Sequence, residues 1–121
     1  MKYLLLVHHN EAAFDQTNDA TRQQLFAESI ALTHQLHADK QYISASPLHP
    51  VSTATLVRVR NGKALVTDGP FIETHEQIAG YYLIDAPDKN AAVEIAKRVP
   101  GAQVGTVEVR PVVELAGLPG G

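Results

Sequence analysis

Two segments, residues 3–9 and 78–86, constrain the fold more than any other feature of the chain. Each is apolar on both faces of an extended strand, because apolar side chains occupy nearly every successive position instead of every second one. A strand of this kind lies inside a sheet that is covered on both faces. The sequence therefore predicts a sheet with two internal strands, one at the start of the chain and one in its second half.

Residues 10–21 are polar and typical of a loop, with Asn18 or Asp19 as a suitable N-cap for a helix over residues 21–39. Apolar residues recur there at a helical period, namely Leu25, Phe26, Ile30, Leu32 and Leu36. A second helix is predicted after Asp88, with a stripe of small side chains that ends before Pro100. Two helices that follow strands indicate a layered α+β domain.

Asn61-Gly62 predicts a type I′ β-hairpin between strands at residues 53–60 and 63–68. This turn pairs Arg60 with Lys63 and Thr55 with Asp68. On one face of the hairpin the apolar side chains are Val57, Val59, Ala64 and Val66, and Asp68 ends that face. The remaining strands, at residues 41–46 and 104–115, are followed or interrupted by proline, which is typical of sheet edges.

The order of these elements predicts a ferredoxin-like (split βαβ) fold with an inserted hairpin, as one domain over residues 1–115 with a loose tail at 116–121. Two helices cover only one face of the sheet. We expect the sheet of a second copy to cover the other face, which predicts a homodimer.

Composition limits the function classes. The chain has 121 residues, a net charge of −3 and no basic run, so we expect no nucleic-acid partner. It has no cysteine, which excludes disulfides and thiolate chemistry. The apolar run at residues 1–7 stops at His8, short of a signal peptide, and no segment reaches membrane-spanning length. A cytoplasmic protein without membrane contact is expected.

The connection at residues 67–76 concentrates acidic side chains around Gly69-Pro70. Asp68 is a candidate general acid or base, or alternatively the residue that caps this turn. The candidate ligand contacts near Asp68 are Phe71, Glu73 and Glu76. His75 is a candidate proton shuttle. Solvated carboxylates and an inert surface histidine are the alternatives.

His8 and His9 are adjacent, so they point to opposite faces of a strand and cannot share a metal ion. His9 is the candidate catalytic histidine, and a buried structural histidine is the alternative. Arg58 and Tyr81 are candidate ligand contacts. His34 and His37 lie three apart on a helix without a third ligand, so neither a metal nor a cofactor is predicted.

Several motifs resemble the DGPF-domain branch of the YCII-related proteins. They are Ser52-Thr53-Ala54-Thr55, the hairpin from Val57 to Lys63, Thr67-Asp68-Gly69-Pro70-Phe71, Gly80-Tyr81-Tyr82-Leu83-Ile84 and Val107-Glu108-Val109-Arg110-Pro111. The resemblance implies a dimeric α+β barrel, a His–Asp pair in a cleft, lyase-type relatives and an association with sigma factors of the extracytoplasmic-function type. His75 stands where relatives usually carry Lys.

Two functions follow as hypotheses. The first is a small-molecule binder or enzyme, in which Asp68 and a histidine move a proton in a cofactor-independent lyase or isomerase step within the dimer barrel. The second is a non-catalytic accessory dimer that regulates a partner such as a sigma factor.

Overall fold

The computed structural model describes residues 1–69 and 74–120. Its elements in chain order are β1 (Lys2–His9), α1 (Glu11–Asp15), α2 (Asp19–Ala38), β2 (Tyr42–Pro47), β3 (Thr55–Arg60), β4 (Lys63–Asp68), β5 (Gln77–Asp85), α3 (Lys89–Arg98) and β6 (Thr106–Pro111). Two 3-10 turns, Val51–Thr53 and Pro100–Gln103, lie between them. The order of elements confirms an α+β domain.

The main sheet is antiparallel and has the strand order β2-β5-β1-β6. The two segments that are apolar on both faces, β1 and β5, are the central strands, as predicted. The proline-bearing strands β2 and β6 are the edges. Since β1 and β5 are each followed by a helix that leads to an edge strand, the topology is compatible with the predicted ferredoxin-like fold.

Helices α2 and α3 both begin at predicted caps. The Asn18 side chain accepts a hydrogen bond from the Thr21 amide at 2.8 Å, and Asp88 accepts one from the Ala91 amide at 2.8 Å. At its other end α2 closes in a Schellman motif in which Lys40, at φ 60°, takes the left-handed conformation that glycine usually supplies. Within residues 1–69 and 74–120, none of the helices combines the length and the hydropathy that a membrane span requires.

The hydrophobic core lies between one face of the sheet and the helices. Alternate residues of β1 and β5 face it, together with the buried sides of α2 and α3. The buried residues are Tyr3, Leu5, Val7, Leu32, Leu36, Tyr82, Ile84, Ala86, Ala92, Ile95, Ala96 and Val99. On the opposite face, Leu4, Leu6 and Leu83 are only half-buried, so residues 1–69 and 74–120 of one chain do not fully cover this face.

One sequence prediction was wrong. The polar segment 10–21 contains α1, whose N-cap Asn10 accepts a hydrogen bond from the Ala13 amide at 2.8 Å. The apolar stripe of α2 is only partly buried, because Phe26 and Ile30 remain 45% and 59% exposed. The C-terminal half of α2 packs into the core through Leu32 and Leu36, whereas its N-terminal half stands away from the sheet.

The β3–β4 hairpin forms a separate two-stranded sheet in the predicted register, from Arg60–Lys63 at the turn to Thr55–Asp68 at the base. Positive φ angles of 51° at Asn61 and 76° at Gly62 match a type I′ turn. The valines of its predicted apolar face are exposed; Val57, Val59 and Val66 have 61–64% of their surface accessible. Among the described residues, none therefore covers this face of the hairpin.

Candidate functional site

The imidazole of His9 lies at the end of β1 on the helix-covered side of the sheet. Alternation along the strand places it on the same side as Tyr3, Leu5 and Val7. Its ring stacks on Phe14 of α1, with centroids 4.5 Å apart and an interplanar angle of 22°. Phe14 in turn meets Phe26 of α2 edge to face at 6.3 Å. The three rings connect the end of the central strand to both N-terminal helices.

A cavity of about 550 Å³ opens beside these rings. The sheet forms its floor, α1 and the N-terminal half of α2 form one wall, and the segment from β2 to the first 3-10 turn forms another. Its lining is mainly apolar and aromatic, and includes Leu25, Phe26, Ile30, Tyr42, Leu48 and Val104. Size and lining are those of a small-molecule site.

The pKa of His9 is lowered by burial. The carboxylates of Glu11, Asp15 and Glu76 act in the opposite direction, but burial has the larger effect. The imidazole is therefore uncharged near neutral pH and carries one nitrogen able to accept a proton. Within the described residues, neither ring nitrogen of His9 has a hydrogen-bond partner, so this side chain is open to a ligand.

Hydrogen bonds link the start of α1, beside the cavity, to two connections that are distant in sequence. The carboxylate of Glu11 accepts from the Val51 amide at 3.0 Å, and the Glu11 amide donates to the Gln77 side chain at 2.9 Å. The Asn10 side-chain amide donates to the backbone carbonyl of His75 at 2.9 Å. The start of α1 is thereby tied to the segments before β3 and before β5, which fixes the position of Phe14.

Tyr81 and Tyr82 point to opposite faces of β5. Tyr82 is buried on the helix side, where burial raises the pKa of its hydroxyl and a hydrogen bond with Ser29 of α2 partly offsets that rise. The Tyr81 hydroxyl lies 3.1 Å from the Ser44 hydroxyl on the other face. Tyr82 thus belongs to the cavity floor, while Tyr81 borders the cavity and directs its hydroxyl away.

The sequence of residues 1–116 matches the YCII-related domain. The chain belongs to this family. It is also similar to an uncharacterized protein of Rhizobium meliloti (strain 1021), with 29% identity over 120 aligned residues that cover 93% of this chain and 92% of the relative. Family membership agrees with the α+β fold, and the relative's description adds no activity.

In this YCII-related protein the structure brings together only part of the predicted site. Glu76 is half-buried and close enough to affect the pKa of His9. His75 is exposed and is held through its backbone carbonyl. Phe71 and Glu73 lie outside the described residues.

The other predicted residues belong to different surfaces. Asp68 is exposed at the base of the hairpin, opposite Thr55, and it does not line the cavity. Arg58 is exposed on β3 of the same hairpin. His8, on the sheet face opposite His9, is 2.9 Å from the carboxylate of Glu108. No group of three or more potential metal-binding side chains occurs in the described residues.

Sequence reasoning missed the residues of α1 that complete the site. The polar composition of residues 10–21 predicts a loop and gives no role to Glu11, Phe14 and Asp15. One signal was available, since Asn10 followed by an acidic first turn is typical of a helix start. The packing of Phe14 on His9 carries no comparable signal, because it depends on where α1 lies relative to the sheet.

Proposed function

We propose that this protein binds a small, mainly apolar molecule in the cavity beside His9. The observation that supports this most directly is an uncharged imidazole, without a hydrogen-bond partner in the described residues, at the wall of a 550 Å³ apolar cavity. An apolar pocket with a few polar groups and a titratable residue of perturbed pKa is the usual form of a ligand or active site.

His9 is suited to accept a proton from the bound molecule. In an isomerase step the imidazole removes a proton from one carbon and returns it at another position of the same molecule. In a lyase step the electron pair left on carbon expels a leaving group instead. Both are general acid–base reactions that need no cofactor, and an imidazole that is uncharged near neutral pH is available as the base.

In the dimeric barrel that the DGPF-branch resemblance implies, Asp68 is the proposed acidic partner of the histidine. Its exposed position at the base of the hairpin also suits the alternative role as a turn residue, because the Gly69 amide next to it donates to the Ala54 carbonyl at 2.7 Å. Arg58, Phe71, Glu73 and Tyr81 remain proposed ligand contacts in that barrel.

A thermal-shift screen for ligands tests the binding site. It uses the wild type and two variants, Ala45→Phe and Asp68→Asn. A ligand at about 100 times its Kd stabilises the folded state by about 2.7 kcal/mol. For a domain of this size, that raises Tm by roughly 10 °C. Ala45→Phe places a ring in the cavity floor beside Tyr82, so ligands that stabilise the wild type should leave its Tm unchanged.

Asp68→Asn is the second variant of this screen. Asp68 does not line the cavity within one chain, but as the proposed acidic partner of the histidine in the barrel its replacement should abolish ligand binding or turnover while the protein stays folded. Loss of binding or turnover with an intact fold would assign Asp68 to the site, whereas an unfolded variant would assign it to the turn. Ligands that stabilise the wild type and Ala45→Phe equally would refute the cavity as the binding site.

The uncovered hairpin favours a second candidate function, a non-catalytic accessory dimer in the cytoplasm. A two-stranded hairpin alone is marginally stable in water, so the exposed valines of β3 and β4 need a partner surface. A second copy is the proposed cover, and the DGPF-branch resemblance suggests a sigma factor as a further partner. Light scattering tests the dimer: a monomer at micromolar concentration, unchanged by Val57→Glu, would contradict it.

A further inference from the structure

We infer that the cavity selects its ligand by charge: it accepts an uncharged, mainly apolar molecule with one hydroxyl-type polar group and rejects carboxylates and other anions of the same size. This inference rests on the proposed binding function and specifies the class of ligand. It follows from the charged groups that border the cavity and from the polar group that His9 can serve.

In the part of the chain that the structure describes, the charged side chains around the His9 end of the cavity are acidic. Glu11 and Asp15 line it, and Glu76 approaches His9 from the connection before β5. Among the described lining residues there is no Lys or Arg. An anion placed beside His9 would therefore lose its hydration and gain carboxylate neighbours, without a cation to compensate.

Arg22, the arginine that contacts α1, makes its polar contacts with backbone carbonyls and with Asp19. Arg22 of α2 donates to the backbone carbonyls of Phe14, Asp15 and Thr17, and it forms an ion pair with Asp19. These contacts hold the guanidinium at the junction of α1 and α2, where its charge is paired with Asp19, and Arg22 does not line the cavity. The acidic character of the cavity end is therefore not offset by this side chain.

A hydroxyl group on the ligand suits the polar contact that the His9 imidazole offers. An uncharged imidazole offers one nitrogen donor and one nitrogen acceptor, and a hydroxyl group can serve either nitrogen. The rest of the ligand would lie against Phe14, Phe26 and Tyr42, whose rings border the same cavity. A flat apolar body with one hydroxyl arm therefore fits both the lining and its charge.

Two probes with one carbon skeleton test the selection: 2-naphthalenemethanol, which is uncharged, and 2-naphthoate, which is an anion. Binding is measured by isothermal titration calorimetry at neutral pH and low salt, on the wild type and on Ala45→Phe. The alcohol should bind the wild type at least about tenfold more tightly than the carboxylate, a difference of about 1.4 kcal/mol. Added salt should narrow the ratio by screening the acidic groups.

A matched pair of variants separates local charge from net charge. Asp15→Asn removes one acidic group from the cavity lining, where no hydrogen bond or ion pair of this carboxylate occurs in the described residues. Glu94→Gln removes one acidic group from α3, where it pairs with Lys97 outside the cavity. Asp15→Asn should reduce the preference for the alcohol about two- to fivefold, and Glu94→Gln should leave it unchanged.

The outcomes distinguish charge selection from the more general proposal that the cavity binds a ligand. Equal or tighter binding of 2-naphthoate to the wild type, with both probes excluded by Ala45→Phe, would overturn charge selection while the cavity remained a binding site. An equal effect of Asp15→Asn and Glu94→Gln would also overturn it. Binding of neither probe, or binding unaffected by Ala45→Phe, would refute the proposed function and the inference with it.

Discussion

The helix-covered face of the sheet has two halves that are built differently. Under α3 and the C-terminal half of α2 the space is filled, and Leu36, Ile84 and Ile95 are almost completely buried. Ala92 and Ala96 face the sheet from α3, and such small side chains let a helix approach closely. Under α1 and the N-terminal half of α2, aromatic rings bridge the gap and a cavity remains.

This difference teaches how one fold provides both stability and a binding site. Close packing stabilises a protein through apolar area removed from water and through dispersion contacts, and both are lost where a cavity is left. The filled half can therefore supply most of the stability. The open half is positioned by hydrogen bonds of Asn10 and Glu11 to distant connections, so it keeps its shape without being filled.

The largest expected effect is a difference in the free energy of unfolding between two Leu→Ala variants, one from each half. Leu36→Ala should lower the free energy of unfolding by about 2–5 kcal/mol, because it creates a new void in packed surroundings. Leu25→Ala should cost less than about 1.5 kcal/mol, because Leu25 already borders open space and loses fewer contacts. Urea unfolding of both variants measures the difference, and similar losses would contradict the distinction between the halves.

A smaller effect on stability is expected when the N-cap residue of α1 or of α3 is replaced. Asn10→Ala and Asp88→Ala each remove a side-chain acceptor from a helix N-terminus and should cost about 1 kcal/mol. Only Asn10→Ala should also weaken ligand binding, because Asn10 holds the carbonyl of His75 and α1 carries Phe14. Calorimetric titration with 2-naphthalenemethanol checks this. Weaker binding by Asp88→Ala as well would show that the effect is global.

The smallest effect is a pH dependence confined to the cavity half. Burial lowers the pKa of His9 in the folded protein, so the unfolded chain binds the proton first as the pH falls below about 6.5. The contribution of His9 to stability is complete above that pH and is lost as the pH falls through the lower pKa of the folded state.

Replacement of His9 by phenylalanine isolates this contribution while keeping a ring against Phe14. Urea midpoints measured one pH unit above and one below about 6.5 should fall more for the wild type than for His9→Phe. An equal fall in both proteins would show that other groups account for the pH dependence and that His9 titrates alike in the folded and unfolded states.

Much of the fold was predictable because local rules decide it. The apolar runs of β1 and β5 identify the central strands, Asn61-Gly62 fixes the hairpin register, and Asn18 and Asp88 mark the helix starts. Each of these signals lies within a few residues of the feature that it specifies. The alternation of β1 also separates His8 from His9 before any tertiary contact is known.

The site depended on tertiary structure. Whether Phe26 and Ile30 are buried depends on how closely α2 approaches the sheet, which the helical period alone does not decide, and both remain exposed. The neighbours of His9 come from α1, α2 and the connection before β5, which are far apart in sequence. The sequence determined which side of the sheet His9 faces, and only the packing of distant segments decided that this side encloses a cavity.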